Sequence, residues 1–172
     1  PRQKTAFYSR RILLSAAGMV LITALIYSNS LTGSFVFDDG HAILDNPAVR
    51  PPFSFEKIFS PGPPGPVVNL TLFLNYAVGG LETTGYHLFN ITVHILAGLI
   101  LFGIIRRTLI ILKVGGAALA PAAAGALLWL IHPLQTESVT YIIQRHESLA
   151  ALFYLLTLYF FIRGALSPRH RW

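Results

Sequence analysis

The segment that decides the fold of this chain is YHLFNITVHILAGLILFGII at residues 86–105, which is followed directly by Arg106 and Arg107. About 20 consecutive, mostly apolar residues are what an α-helix needs to cross a bilayer, and paired arginines are typical of the end of such a span. The composition agrees, because 53% of the chain is hydrophobic and only 12% is charged. A soluble core cannot bury that much apolar surface. We therefore predict a membrane protein.

Three further apolar runs predict an all-α membrane protein with about four transmembrane helices. The spans are placed at 12–29, 86–105, 116–132 and 138–163, in a single membrane domain, 1–172, that is a fragment of a longer module. The first run follows a basic N-terminus, as signal peptides do, but a persuasive small-residue cleavage pattern is missing and we expect the span to be retained. The external loop at 30–85 is rich in Pro and Gly and long enough to be functional. Within it, 53–59 and 67–78 are predicted to form short interfacial helices.

The basic residues predict the orientation. Clusters at 2–11, 106–113 and 163–171 fall on one side of a four-span chain, and the positive-inside rule makes that side cytoplasmic, together with both termini. The formal net charge of +6 is explained by these clusters and not by a nucleic-acid surface, so no nucleic-acid partner is expected. The chain has no cysteine, which excludes disulfides, thiolate metal sites and Cys nucleophiles.

Asp38 and Asp39 are the strongest candidates for a functional site. Adjacent carboxylates beside a membrane span repel each other, and such pairs are typical of sites that use a cation, a proton transfer or a sugar hydroxyl. The pair also suits an Asx-type turn or a helix N-cap, and the residues alone leave both interpretations open. The predicted topology brings further acids, cations and imidazoles to the same external face: His41, Asp45, Arg50, His132, Glu137, Arg145, His146 and Glu147.

Several of these polar residues also have structural interpretations. Arg145 and Glu147 lie near a predicted helix end, where charged side chains can extend into the headgroups. His87, Asn90 and His94 share one helical face, and we expect them to form hydrogen bonds within the bundle rather than to bind a metal.

Five separated segments carry a family resemblance: FVFDDGHAILDNPAVR, NLTLFLNYAVGG, GYHLFNITVHILAGL, ALLWLIHPLQTESV and QRHESLAALFYLL. In order and at compatible spacing, they resemble the N-terminal part of the transmembrane O-mannosyltransferases with tetratricopeptide repeats, and of their bacterial relatives. The resemblance covers roughly residues 35–163. That family is similar to the wider GT-C glycosyltransferases, which use polyprenyl-phosphate-linked sugars and an acidic residue of the first external loop.

The resemblance implies roles for the candidate residues. Asp38 or Asp39 would be the catalytic base, or would position a divalent cation if the enzyme uses one. Arg145 would hold the donor phosphate. The other candidates for binding the substrate or the donor phosphate are His132, Glu137, His146 and Glu147. The chain departs from the family pattern where Gln144 replaces a Gly, and where Gly65-Pro66-Val67 replaces an Arg-Pro-Leu and so removes one expected cation.

These observations favour a GT-C-like glycosyltransferase module in the bacterial inner membrane, or in the endoplasmic reticulum of a eukaryote. It would transfer a sugar from a polyprenyl-phosphate donor to an extracytoplasmic acceptor, a hydroxyl of a protein. The alternative is a catalytically silent transmembrane subunit derived from that family, which docks on a larger membrane complex. The short chain and the missing arginine favour this alternative. An ion or proton path through His87, His94 and Glu147 is a weaker third interpretation, because charged residues are missing from the rest of the spans.

Overall fold

The computed structural model describes residues 2–113 and 118–165, with side chains from Tyr8 onward. Within these ranges the chain is helical and no residue is in a β-strand, which confirms the predicted all-α class. The helices are α1 (Arg2–Tyr27), α2 (Phe55–Ile58), α3 (Pro66–Gly79), α4 (Thr83–Ile111), α5 (Leu119–Leu130), α6 (Thr136–Thr140) and α7 (Arg145–Ala165). The start of the predicted third span, at 116 and 117, and the end of the third basic cluster, after 165, lie outside the described residues.

Three segments of the described chain are long and apolar enough to cross a membrane: Tyr8–Thr32, Thr83–Ile111 and Arg145–Ala165. The prediction of an integral membrane protein is therefore confirmed. Helix α5, in the predicted third span, has 12 described residues. At 1.5 Å per residue it is about 18 Å long, shorter than a hydrocarbon core of about 30 Å. The predicted count of four spans thus stays a prediction.

Helix α4 is the centre of the bundle and packs against α1, α5 and α7. Small residues allow the close approach of α5, since Gly98 of α4 lies directly against the Leu130 side chain, and Ala122 and Ala126 are fully buried. The carbonyl of Leu130, at the end of α5, accepts hydrogen bonds from Tyr27 Oη at 3.2 Å and from His94 Nε2 at 2.8 Å. These two bonds satisfy a helix-terminal carbonyl and tie α1, α4 and α5 together.

Both short helices predicted in the first loop are present, as α2 and α3, and their position relative to the bilayer stays a prediction. Asn46 and Asn69 hold this loop together through side-chain amides. Asn46 Nδ2 donates to Asn69 Oδ1 at 3.0 Å, and Asn69 Nδ2 donates to the carbonyl of Ile58 at 3.3 Å. The loop is thus a folded layer on one end of the bundle.

A break separates α6 from α7 and positions the candidate site. Residues 141–144 are not α-helical, and α7 begins at Arg145, whereas the predicted span 138–163 runs through this break. Asn90 of α4 donates to the carbonyls of Tyr141 and Ile142, at 3.3 and 3.1 Å. The amide of Ile143 donates to a side chain of the first loop rather than to a helical carbonyl. Hydrogen bonds with residues distant in sequence therefore keep residues 141–144 out of the helix.

Candidate active site

Asp39 is a buried link between the first loop and the break before α7. Its side chain is completely buried, and its carboxylate accepts hydrogen bonds from the amides of Val36 at 3.0 Å and Ile143 at 2.9 Å. Burial raises the pKa of Asp39, and the two amide donors and the more distant charge of Arg145 partly oppose this shift. Both carboxylate oxygens are thus used to hold two segments of the chain together.

Asp38 has the opposite environment, although it is the adjacent residue. Its side chain is exposed, and its amide donates to the hydroxyl of Tyr141 at 2.8 Å. The ring of Phe37 packs edge-to-face against the Tyr141 ring, at 6.2 Å between centroids. Partial burial, with the nearby charges of Asp38 and Asp39, raises the pKa of Tyr141, so its hydroxyl stays protonated at neutral pH. The backbone of Asp38 is thus fixed, and its exposed carboxylate lies beside the Tyr141 hydroxyl.

The turn that separates the two environments is strained. Phe37 has φ 45°, in the left-handed region that costs a non-glycine residue about 1–2 kcal/mol. The amide of Asp39 closes this turn by donating to the carbonyl of Val36 at 3.0 Å. Such strain persists where surrounding contacts enforce it, and it is often found at functional sites.

The Asp38 carboxylate faces a cavity of about 410 Å³. Its lining combines this acid, two imidazoles, a phenol, an amide and a proline edge: Asp38, His41, Tyr141, Gln144, His146 and Pro64. Of the residues that the sequence predicts on the external face, Asp38, His41 and His146 are therefore brought together. Lys and Arg are missing from the lining contributed by the described residues.

Arg145 lies beneath this site and not in it. Its side chain is completely buried, and Nη1 donates to Asn75 Oδ1 at 2.8 Å and to Thr71 Oγ1 at 3.4 Å. Nη2 donates to the carbonyl of Tyr86 at 3.3 Å, and the guanidinium packs 4.7 Å from the Phe89 ring centroid. The guanidinium thus joins α3, α4 and the start of α7.

The remaining predicted residues lie around the cavity without lining it. Glu147, one residue after His146, lines a separate cleft. Glu137 accepts a hydrogen bond from Gln144 Nε2 at 3.3 Å. His132 is exposed, and its Nδ1 caps the turn Pro133–Gln135 by accepting from the amide of Leu134 at 3.2 Å.

Comparison with known proteins identifies relatives for nearly the whole chain. Protein O-mannosyl-transferase Tmtc1 of Drosophila melanogaster is 32% identical over 95% of the chain. Protein O-mannosyl-transferase TMTC1 of Homo sapiens is 34% identical over 83%, and TMTC3 of Mus musculus is 33% identical over 80%. The chain is homologous to the TMTC protein O-mannosyl-transferases. The predicted relation to this family is confirmed, and the resemblance to bacterial relatives stays a prediction.

The match is confined to a small part of each TMTC protein. The chain covers 20% of the length of Drosophila Tmtc1, 17% of human TMTC1 and 15% of mouse TMTC3. No protein-family profile matches the chain, and no solved structure does.

The described residues do not fit a metal site. Across residues 2–113 and 118–165, no group of three or more His, Asp or Glu side chains is placed to hold an ion. Asp39 already uses both oxygens to accept amide hydrogens, whereas Asp38, the other member of the acidic pair, is exposed.

The sequence alone does not predict two sets of residues that position the site of this TMTC homologue. Tyr141 lay inside a predicted span, where apolar periodicity gives no reason to single out a tyrosine. Asn75 and Thr71 are the partners of Arg145, and both lie in the segment NLTLFLNYAVGG, where an uncharged side chain gives no signal of its own. A charged residue near a helix start needs such partners when it is buried, so Arg145 is the signal in the sequence that points to them.

Proposed function

We propose that this chain is part of a GT-C-type glycosyltransferase that transfers a mannosyl group from a polyprenyl-phosphate donor to a protein hydroxyl. The names of the TMTC relatives supply the sugar and the protein acceptor, and the family resemblance supplies the donor. The observation that carries the proposal is the position of Asp38, whose exposed carboxylate lies at a cavity. Its backbone amide donates to the Tyr141 hydroxyl, and its carbonyl accepts from the amide of Ala42. A positioned acid of this kind suits general base catalysis.

Asp38 is the base in the proposed reaction. It takes the proton of the acceptor hydroxyl as that oxygen attacks the anomeric carbon. The new carbon–oxygen bond forms while the bond from the anomeric carbon to the phosphate oxygen breaks, and the lipid phosphate leaves with the electron pair. Attack from the opposite face inverts the anomeric centre.

Asp39 and Tyr141 position the base. Asp39 is buried with both oxygens bonded to amides, so it cannot reach an acceptor hydroxyl. A general base must lie within hydrogen-bond reach of the proton that it removes. Asp39 instead fixes the loop against Ile143, while Tyr141 holds the Asp38 amide.

The donor phosphate needs a cation, and this requirement favours a second candidate function. The described cavity lining offers two imidazoles, His41 and His146, but no Lys or Arg. Arg145 is buried and bonded to protein groups, so its predicted contact with the phosphate stays a prediction. A catalytically silent membrane module, docked on a larger complex, is the alternative that this lining favours.

The proposed topology has four spans, cytoplasmic termini and an extracytoplasmic site. It is supported by the bond between the Asp38 amide and the Tyr141 hydroxyl, since two groups 2.8 Å apart lie on the same side of the membrane. Helix α4 crosses the bilayer between these residues in the chain. In the proposed topology the chain crosses back before Tyr141, and α5 is the crossing helix.

The test of catalysis uses the full-length protein encoded by the gene and a polyprenyl-phosphate mannose donor. Asp38→Asn should lower sugar transfer by about 10²–10⁴-fold, the usual contribution of a general base. Glu56→Gln is the matched control, because Glu56 is an exposed acid of the same loop and does not line the cavity. Transfer that Asp38→Asn leaves intact would remove the base assignment.

The silent-subunit alternative has a separate readout. It predicts that the 172-residue chain co-purifies in fixed stoichiometry with a larger membrane protein after mild detergent extraction. Purification of the chain alone, together with transfer that depends on Asp38, would reject it.

A further inference from the structure

A second polar cleft, of about 270 Å³, is separate from the Asp38 cavity. His146 lines the cavity, and the next residue, Glu147, lines the cleft. The cleft lies between α4, the end of α5, α6 and the first turns of α7. The side chains that give it its chemistry are His94, Trp129, Gln135, Ser138, Glu147 and Ser148.

Three hydrogen-bond donors in this cleft lack a protein partner. Within the described part of the chain, no acceptor bonds to Trp129 Nε1–H, to the Gln135 side-chain amide or to the Ser138 hydroxyl. Ser148 differs from them, because its hydroxyl donates to the carbonyl of Ser138 at 2.7 Å. The cleft therefore holds several polar hydrogens that a ligand could accept.

Two acceptors accompany these donors. Glu147 is largely exposed, and its one ionic neighbour among the described residues is His146 Nε2 at 3.5 Å. His94 is 2% exposed, and its Nε2 lies 2.8 Å from the carbonyl of Leu130. Because a carbonyl can only accept, Nε2 carries the proton and Nδ1 is a bare acceptor, which has no partner in the described structure.

This mixture of donors and acceptors selects the chemistry of the ligand. Lys and Arg are missing from the described lining and Glu147 is acidic, so phosphate and carboxylate groups are disfavoured. A single carboxylate is too few ligands for a metal ion. A hydroxyl both donates and accepts, so a neutral polyol can satisfy Glu147 and His94 as well as Trp129, Gln135 and Ser138.

The size of the cleft and its aromatic wall restrict the choice of ligand further. Trp129 stacks on His94 at 4.9 Å between ring centroids and 29° between planes, which holds the indole in place. A fixed indole offers an apolar surface to the C–H groups of a sugar ring, as well as its N–H. About 270 Å³ is room for roughly nine waters, which suits one monosaccharide and not an oligosaccharide.

We propose that this cleft binds a single neutral hexose unit, at a carbohydrate site separate from the Asp38 cavity. Binding here requires neither the Asp38 base nor a lipid phosphate, so the proposal stands or fails independently of sugar transfer. Water alone would satisfy the same polar atoms but would leave the indole surface unused. The response of Trp129 to a sugar therefore discriminates the two.

The chain provides its own reporter for this test. It contains two tryptophans, so Trp172→Phe leaves Trp129 as the single emitter. The chain is placed in lipid nanodiscs, because many detergents carry sugar headgroups, and is titrated with methyl α-D-mannopyranoside. A saturable change of Trp129 emission at millimolar concentrations is expected.

Cleft variants in the same background locate the binding. Glu147→Gln should weaken binding about tenfold, since it removes an ionised hydrogen-bond acceptor, and Gln135→Ala should weaken it to a similar extent. Glu56→Gln is the matched control, because Glu56 is an exposed acid of α2 outside this cleft, and it should leave the affinity unchanged. Circular dichroism confirms that each variant keeps its helical content.

Two further probes identify the source of the hexose. An alkyl mannoside held in the nanodisc bilayer represents a glycolipid, and a mannosylated serine peptide in solution represents a protein-linked sugar. A saturable response to either one supports the proposal and assigns that source. The proposal is overturned if no glycoside gives a saturable response, if Glu147→Gln binds as tightly as the control, or if inorganic phosphate gives an equal response.

Discussion

At the scale of single residues, the acidic pair shows how one strained turn can give adjacent carboxylates different tasks. The positive φ of Phe37 and the bond from Asp39 N to Val36 O direct Asp39 into the protein and leave Asp38 at the cavity. Sequence reasoning could mark the pair as unusual. It could not divide the roles, because burial of Asp39 depends on Ile143, a residue far away in the chain.

The first prediction concerns the hydrogen bonds of Asp39. Asp39→Asn keeps the shape of the side chain but turns one acceptor oxygen into an amide donor, which would face the N–H of Val36 or Ile143. A buried unsatisfied donor costs about 1–3 kcal/mol, and the variant should lose that much unfolding free energy. Thermal unfolding followed by circular dichroism measures it, with the exposed Asp38→Asn as the control. Equal stability of the two variants would show that Asp39 is not a structural link.

The second prediction is the pH dependence of stability that Asp39 causes. Because burial raises the pKa of Asp39 above its value in the unfolded chain, the folded state binds more protons between the two pKa values. The Asp39 contribution to stability is therefore most favourable below the unfolded pKa and falls as the pH rises through the folded pKa. Asp39→Asn should abolish this part of the pH profile. An unchanged profile would assign the pH dependence to other groups.

At the scale of helices, apolar runs were sufficient to predict where α1, α4 and α7 lie, because each bilayer-length run specifies a helix from local composition. The break at residues 141–144 could not be predicted in this way. It depends on Asn90 and Asp39, which take the hydrogen bonds of residues 141–143 away from the helix. Such contacts leave no periodic signal in the segment that they interrupt.

The third prediction tests the contact between α4 and α5. A Cβ atom added at Gly98 would overlap the fully buried Leu130 side chain, and overpacking of this kind costs about 1–3 kcal/mol. Gly98→Ala should lower the unfolding free energy by that amount in a denaturation series. In Gly18→Ala the added Cβ meets no atom within 4 Å, so this control should be neutral or slightly stabilising, as Ala favours a helix over Gly. If both variants behave alike, the close packing at Gly98 does not contribute to stability.

At the scale of the whole molecule, composition correctly predicted the class of protein, whereas the orientation that charge asymmetry predicts stays a prediction. The number of spans is less accessible to sequence, because α5 is built of small residues and is short in the described chain. The proposal that α5 crosses the membrane is supported by a tertiary contact, the bond between the Asp38 amide and the Tyr141 hydroxyl. The candidate site also depends on tertiary contacts, because its cavity forms where the first loop packs against the break before α7.

The fourth prediction tests the topology. Because the chain has no native cysteine, each introduced cysteine is its single labelling site. Single cysteines are introduced as Ser60→Cys, Leu112→Cys and His132→Cys, at exposed positions. In right-side-out vesicles an impermeant maleimide should label 60 and 132 directly, and 112 after permeabilisation. Labelling of 132 together with 112 would show that α5 does not cross the bilayer.

The bond between Asp38 and Tyr141 also sets an order of events during biosynthesis. The two residues are 103 positions apart, and at about 5–20 residues per second the ribosome needs roughly 5–20 s to make the intervening chain. During that interval the first loop lacks the Tyr141 hydroxyl, which accepts from the Asp38 amide in the finished chain. A nascent chain stalled before Tyr141 would therefore present an acidic loop without this hydrogen bond. A quality-control chaperone could distinguish that loop from the loop of the completed chain.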